Sequence, residues 1–346
     1  MTTEVADVTI IGGGPAGLFA SFYAGLRDMS VRIIEAKPAL GGKVHVYPDK
    51  LIWDIGGQPP ILGSDFMKNS VEQGLTFHPE VCCNQEVSSI SRLEDGSFRL
   101  MTLSGMAYYS KTVLIAAGFG TVKPKKIGLE GEDIFKETNL FYTVPTIEQF
   151  RHQRVLLSGG GKSAVDWANT LLHVAESVTI VYRKEEMVGH EAEIRRLMTS
   201  DAKVILGSSI QKLVGNKTIE SVIIREEKTN DETMIETDAV IINHGYEKNM
   251  RLMDTSDIQL DKHEHKGLLG STFGETSEPG IYLAGDSLKY PGKLNLIAGA
   301  YQDAVHAVNQ IKTFLDPTAS NIEKKSTKLT KLKPRNQEIY KETFNP

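Results

Sequence analysis

A chain of 346 residues is long enough for two domains of ordinary size, each with its own core. A hydrophobic share of 40% and a charged share of 24% are those of a globular protein, and a net charge of −5 argues against nucleic acid as a partner. No apolar run approaches the roughly 20 residues of a membrane span, and Glu4 and Asp7 stand where a secretory leader carries Lys or Arg, so the expected location is the cytoplasm, away from membranes.

Residues 7–11 (DVTII) are a short β-branched run of the kind buried in a parallel sheet. A glycine turn follows at 12–17, a helical pattern runs from Ala16 to about Arg27, and residues 31–35 (VRIIE) predict a second strand. Strand, helix and strand within about 30 residues make one βαβ unit. Gly12-x-Gly14-x-x-Gly17 has the spacing a pyrophosphate requires. The first glycine permits the tight turn, the second lets backbone approach the phosphates, and the third lets helix and strand pack closely. Glu35 ends the second strand, where a carboxylate accepts hydrogen bonds from ribose hydroxyls. Pro15 and Ala16 within the turn, and Gly41-Gly42 soon after the acid, favour FAD over NAD as the dinucleotide held there.

Trp53 is expected in the core. The only cysteines, Cys82 and Cys83, are adjacent, which suits neither a structural disulfide nor a metal site, and they are expected to be inert thiols. Residues 88–102 predict a small antiparallel hairpin, and residues 112–118 (TVLIAAG) a parallel strand ending in a turn.

The opening pattern then recurs. Residues 154–157 predict a strand, 159–164 a turn, a helix runs to about Ala175, and 177–182 (SVTIVY) predict the next strand. Gly159-x-Gly161-x-x-Ala164, with Lys162 and Ser163 inside it, repeats the fingerprint with the allowed final Ala. Trp167 lies on the apolar face of this helix and is expected to be core. Glu35 lies 23 residues after Gly12, and the same count from Gly159 reaches Tyr182, followed by Arg183 and Lys184. The ribose-binding acid is missing and two cations stand beside its place. A carboxylate would repel a 2′-phosphate, whereas Arg pairs with it bidentately and Lys adds a point charge, so NADPH is expected here. His190-Glu191 fits either a contact to the same nucleotide or a solvated helix start.

Residues 212–224 predict a second hairpin, and 238–245 (DAVIINHG) and 280–285 (GIYLAG) further strands ending in turns. Asp286 suits a ribityl hydroxyl or an oxygen near the pyrophosphate, and also the N-cap of a helix over 294–310. From about Ala319 the chain is polar and Lys-rich, an expected loose extension whose Lys324, Lys325, Lys328, Lys331, Lys333 and Arg335 would steer an acidic electron carrier. Two turns thus serve two dinucleotides, a resident flavin and a mobile nicotinamide that brings hydride to it. Such chemistry needs no side-chain acid, base or nucleophile, so no catalytic residue and no metal is expected.

GGGPAG, LGGK, AAG, GGGKSA, VYRK and IYLAGD, in this order, resemble the low-molecular-weight thioredoxin reductases over roughly residues 5–330. The resemblance implies an α/β fold of two Rossmann-like dinucleotide-binding domains of the three-layer ββα type. It places an NADPH domain at 119–244, inserted in a discontinuous FAD domain at 1–118 and 245–346, and it implies a homodimer. Thioredoxin reductase carries Cys-x-x-Cys just before the second fingerprint, and residues 139–150 (NLFYTVPTIEQF) contain no cysteine. Without a dithiol there is no thiolate to attack a disulfide. The chain instead resembles the thioredoxin-reductase-like ferredoxin–NADP⁺ reductases of bacteria, in which NADPH gives hydride to FAD and single electrons pass to ferredoxin or flavodoxin. That resemblance implies Tyr47 stacked on the isoalloxazine, Lys43 near flavin oxygens in place of the family's Gln, Val87 and Val122 lining FAD, and Thr327 near it. Lys328 stands where the family has a covering ring, leaving Tyr340 and Phe344 to supply one. The competing enzyme reading is an NAD(P)H-dependent flavoprotein reducing quinones, oxygen or small disulfides. A flavin-binding redox sensor would need no second turn.

Overall fold

The computed structural model describes every residue except 1–3, 119, 250, 251, 253–255, 264–266, 321–325 and 345–346. Lys324 and Lys325 therefore lie outside the described residues, and Val122 and Lys328 are described by backbone alone. The chain divides into two compact units, one of Met1–His45, Leu51–Thr121 and Asn249–Pro346, the other of Val46–Lys50 and Val122–Lys248.

The first unit is built on a seven-stranded sheet. Val5–Ile11 lies parallel to Val31–Ile34 on one side and to Ala107–Ile115 on the other, with Val8 opposite both Val31 and Thr112. Glu80–Cys82 and Ile281–Leu283 extend the parallel part. Ala107–Ile115 is long enough to serve two partners on its other edge. Its Val113–Ile115 end pairs with Ile281–Leu283, and its Ala107–Ser110 end pairs antiparallel with Phe98–Met101. Phe98–Thr102 in turn pairs with Val87–Arg92, the hairpin expected there. Side chains alternate between the faces, as strand geometry demands. Val8 and Ile10 point to the helices Pro15–Leu26 and Ile297–Leu315, where Ala20, Ala24, Ala304 and Ala307 are small enough for close packing. Ile11, Ile115 and Leu283 join Phe98 and Leu100 in a second cluster.

The second unit has three layers. Its five-stranded sheet is parallel throughout, in the order Leu140–Phe141, Ala239–Ile242, Arg154–Ser158, Ser177–Tyr182, Lys203–Leu206. Val155 and Leu157 face a cluster that contains Val165, Leu171 and Leu197 of the helices Lys162–Leu171 and Glu191–Met198. Leu156, between them, joins Ile210 and Val222 of an antiparallel sheet made by Ser208–Gly215, Ile219–Glu226 and Glu232–Glu236. Burial on both faces is why these strands read as unbroken apolar runs.

Three expectations are corrected. Trp53 is 72% exposed, because it follows the Leu51–Ile52 strand, where alternation turns Ile52 inward and its neighbours outward; Trp167 is buried as expected. Asp286 is not the cap of the long helix, which begins at Ile297 with Leu296 at its N-cap. The C-terminal extension is not loose throughout: Leu329 and Leu332 pack on the helix cluster of the first unit. There Lys331 bonds the Gly25 carbonyl and pairs with Asp28 at 2.7 Å, and Arg335 meets Glu72 at 3.2 Å. A helix, Lys333–Phe344, follows. No helix among the described residues is long and apolar enough to cross a membrane.

Candidate functional site

In the first unit the fingerprint turn leaves the end of Val5–Ile11 and opens Pro15–Leu26. Gly12 has φ +106°, and a Cβ there would lie 2.5 Å from the Ala116 carbonyl oxygen of the neighbouring strand. A Cβ on Gly17 would lie 1.9 Å from the Gly12 oxygen. Both glycines are thus obligatory for the close approach of helix and strand. The helix has Gly14 at its N-cap, Pro15 at its start and no side-chain cap, so its first N–H groups are left to an external acceptor. Glu35 is 7% exposed; its Oε2 accepts from the Gly13 N–H at 2.7 Å and its Oε1 from the Lys37 N–H at 2.8 Å. These bonds fix the carboxylate at the turn and leave further lone pairs for hydroxyl donors. Gly41-Gly42 closes over the same turn: the Gly41 N–H donates to the Gly13 oxygen at 2.8 Å, and a Cβ on Gly42 would lie 2.6 Å from the Gly14 Cα.

The turn at Gly285–Ser287 meets this helix start from another strand. Gly285 has φ +68°, and a Cβ there would lie 2.9 Å from the Ala16 Cβ, so Asp286 in that turn stands beside the first fingerprint. The support beneath it comes from a residue outside both fingerprints, Asp303. Asp303 is 1% exposed; its Oδ2 accepts from the Gly285 N–H at 2.9 Å and pairs with Lys293, and its Oδ1 accepts from the Tyr290 hydroxyl at 3.2 Å. The sequence signal was a carboxylate on the buried stripe of the last long helix, one and two turns before Ala307 and Ile311.

The second unit repeats the turn. Gly159 has φ +144°, and a Cβ there would lie 2.6 Å from the Asn243 carbonyl oxygen. Lys162–Leu171 has Gly161 at its N-cap and again no side-chain cap. Ala164 is fully buried, whereas Lys162 and Ser163 are exposed and line a cavity of about 260 Å³ together with Asp166, His190 and Glu193. The ribose side differs from the first site. Where Glu35 receives the Gly13 amide, the Tyr182 ring lies over Gly160, 2.1 Å from where a Cβ would be. Arg183 and Lys184 follow, exposed and without an ion-pair partner among the described residues. On the other flank of the turn, Ser158 Oγ and His244 Nε2 are 2.8 Å apart. Burial, then the charges of Arg183 and Lys125, hold the His244 imidazole below its usual pKa. In the sequence His244 stands only as part of a strand end.

The remaining sequence assignments are scattered. Val87 is 6% exposed within the first unit's core, opposite Thr102. Lys43 is exposed in a 3-10 turn, Gly42–Val46. Tyr47, expected against the flavin, belongs to the second unit, where it packs on the cluster that contains Val144 and Phe150. The same short segment is anchored there twice more. Asp49 Oδ2 accepts from the Ile147 N–H at 2.8 Å; Lys50 pairs with Asp166 and sits over the Trp167 ring, 4.1 Å from its centroid. Thr327 is exposed, four residues from Lys331, which is fixed to the C-terminal end of Pro15–Leu26. That end is about 18 Å from the fingerprint turn at 1.5 Å per residue. Tyr340 and Phe344 are 58% and 73% exposed and face each other at 6.1 Å. Cys82 and Cys83 are free, and burial pushes both thiols up, away from the reactive thiolate. No cluster of metal-ligating side chains occurs among the described residues.

A sequence profile of the pyridine nucleotide-disulphide oxidoreductase family matches residues 6–310. Ferredoxin–NADP reductase 1 of Bacillus cytotoxicus is 49% identical over 343 residues, 98% of either chain. The chain belongs to the ferredoxin–NADP reductases. Ferredoxin–NADP reductase 2 of Exiguobacterium sibiricum is 46% identical over 345 residues, covering 99% of this chain and 98% of its own. The thioredoxin reductase of T. acidophilum superposes with a TM-score of 0.75 at 26% identity, over 91% of this chain and 99% of that one. This member of the reductases has the thioredoxin reductase-like α/β fold with Rossmann-type sheets, yet its only cysteines are neighbours in the first unit.

Proposed function

We propose that the chain carries electrons between NADPH and ferredoxin or flavodoxin, with FAD resident in the first unit and NADPH visiting the second. One observation carries this reading: two fingerprint turns of like geometry differ on the ribose side, with a fixed carboxylate, Glu35, at one and Tyr182-Arg183-Lys184 at the other. The first turn fits an FAD pyrophosphate, since a side chain at Gly12, Gly17 or Gly42 would fill or break the cradle. Gly14, Ala16 and Gly17 offer backbone N–H groups to the phosphates, Gly12 makes the tight turn with its own N–H held by the Ile34 carbonyl, and Pro15, which has no N–H, opens the helix. Glu35 accepts from the adenosine ribose, and Asp286 holds the flavin side of the molecule. Gly159, Gly161, Lys162, Ser163 and Ala164 take the NADPH pyrophosphate, and Arg183 and Lys184 take its 2′-phosphate. FAD, when bound, supplies the chemistry that the side chains lack: it accepts two electrons as a hydride and gives them up singly. The protein orients, binds and excludes water, a role that asks for no side-chain acid, base or nucleophile.

The relatives' names and the missing dithiol favour an iron–sulfur or flavin carrier over a disulfide as the acceptor. A homodimer and a cytoplasmic location complete the proposal. Carrier steering rests on fewer tail cations than the sequence offers, since Lys331 and Arg335 are paired with Asp28 and Glu72. The test is anaerobic stopped-flow. NADPH bleaches the yellow absorbance of the protein, and added ferredoxin or flavodoxin restores it while becoming reduced. A colourless protein that cannot be reconstituted with FAD, or one whose colour returns only with oxygen or quinones, overturns the reading.

A further inference from the structure

His244 belongs to the tightest part of the second turn without a role in the proposal above. The Ala239–Ile242 strand delivers it to the sheet edge, beside Ser158 and Gly159, on the side opposite Tyr182 and Arg183. Its placement is fixed from three directions: the Asn243 N–H donates to the Ser158 oxygen at 2.8 Å, His244 Nε2 meets Ser158 Oγ at 2.8 Å, and the Lys125 N–H donates to the Gly245 oxygen at 2.9 Å. The residue is exposed overall while its Nε2 contact with Ser158 is part-buried, and its Nδ1 has no partner among the described residues. Asn243, beside it, has a buried side-chain N–H group without an acceptor. The charges that act on the ring are Arg183 and Lys125, both positive, and no carboxylate is among them. Two cations, a histidine and an orphan amide donor around an N–H-lined turn form a site that wants a multiply charged anion.

We propose that His244 is a further phosphate ligand of the dinucleotide, completing a cradle with Lys125 and Arg183 at the Ser158–Gly159 turn, and that it takes up a proton from solvent when the dinucleotide binds. The inference rests on the NADPH reading of this turn. In the free protein the ring is neutral near pH 7, because burial and two neighbouring cations oppose its charge. A bound phosphate neutralises those cations and reverses the sign of the local field. The imidazolium then donates from both nitrogens, through Nε2 to Ser158 Oγ and through Nδ1 to the phosphate. Linkage makes the effect reciprocal: phosphate raises proton affinity, so protons raise phosphate affinity.

The test is calorimetric titration of the FAD-loaded enzyme with NADP⁺ and with NAD⁺, in buffers of different ionisation enthalpy, for wild type, His244→Gln and His244→Lys. Glutamine keeps a polar group near Ser158, and lysine supplies a permanent cation. Wild type should take up more protons than His244→Gln near pH 7. The ratio of their NADP⁺ dissociation constants should grow about three- to fivefold between pH 8 and pH 6 for a one-unit rise in the ring's pKa, since about tenfold is the limit reached only well below both pKa values. His244→Lys should bind NADP⁺ as tightly as wild type without that uptake. Uptake with NADP⁺ alone identifies the 2′-phosphate as the partner; uptake with both identifies the pyrophosphate. Equal proton uptake and equal affinity in wild type and His244→Gln overturn the proposal while leaving the NADPH reading intact. A wild-type enzyme that binds neither nucleotide overturns that reading and this inference together.

Discussion

Asp303 is the residue whose removal should reach furthest through the first unit. Its side chain is 1% exposed and that of its partner Lys293 4%, so the pair is withdrawn from water. Asp303→Ala leaves the Lys293 ammonium buried without a carboxylate, and the Gly285 N–H and Tyr290 hydroxyl without an acceptor. Breaking a buried pair from one side costs about 3–5 kcal/mol. At about 2–4 °C per kcal/mol for a unit of this size, the melting temperature should fall by about 10 °C. Asp303→Leu combined with Lys293→Met removes both charges at similar volume. It should recover all but about 1–2 kcal/mol, the residue being the unaccepted Gly285 amide. Urea unfolding of the FAD-saturated protein, followed by circular dichroism, gives these differences. Flavin fluorescence reports release in parallel, because the Gly285–Ser287 turn that Asp303 holds stands against Ala16 at the first fingerprint. A loss under about 1 kcal/mol for the single variant, or a double variant as unstable as the single, would refute the reasoning, since a buried unpaired charge cannot be cheap.

Gly17→Ala sets a methyl group 1.9 Å from the Gly12 backbone oxygen, which cannot yield without moving the turn. We expect about 1–3 kcal/mol lost and protein that elutes without flavin from gel filtration; yellow protein of wild-type stability would contradict it. Arg183→Ala with Lys184→Ala should raise the KM for NADPH about 10–100-fold and leave that for NADH unchanged, a charge-assisted contact to the 2′-phosphate being present in only one of them. Equal loss with both nucleotides would place the cations elsewhere. In the second unit, Arg154 holds Asp238 below the usual carboxylate range through bonds at 2.8 and 3.1 Å. The folded state thus favours the ionised acid, and the stabilisation is present above about pH 4 and disappears as pH falls through the lowered folded value. The melting-temperature gap between wild type and Asp238→Asn should therefore be open at about pH 6 and close towards about pH 2; a gap independent of pH would rule this out.

Both nucleotide turns were legible in the sequence because their determinants are local. A β-branched run, glycines at fixed offsets and a following helix lie within a dozen residues. The offset from glycine to strand end then places Glu35 in one unit and Tyr182, Arg183 and Lys184 in the other. The hairpins and the burial of Trp167 followed from periodicity in the same way. What the sequence could not decide is which distant residues share a neighbourhood. Trp53 is large and apolar, yet strand alternation turns it to solvent. Asp303 is charged, yet a lysine ten residues earlier and the amide of Gly285 make its burial tolerable. His244 reads as a strand end until the parallel register sets it beside Ser158, where burial and the charges of Arg183 and Lys125 act on its ring. Tyr47 changes units because Asp49 and Lys50, next to it in the chain, find partners at Ile147 and Asp166, about a hundred residues on. Periodicity and turn chemistry are properties of a few consecutive residues. Burial, pairing and local field are sums over neighbours that only the folded chain assembles.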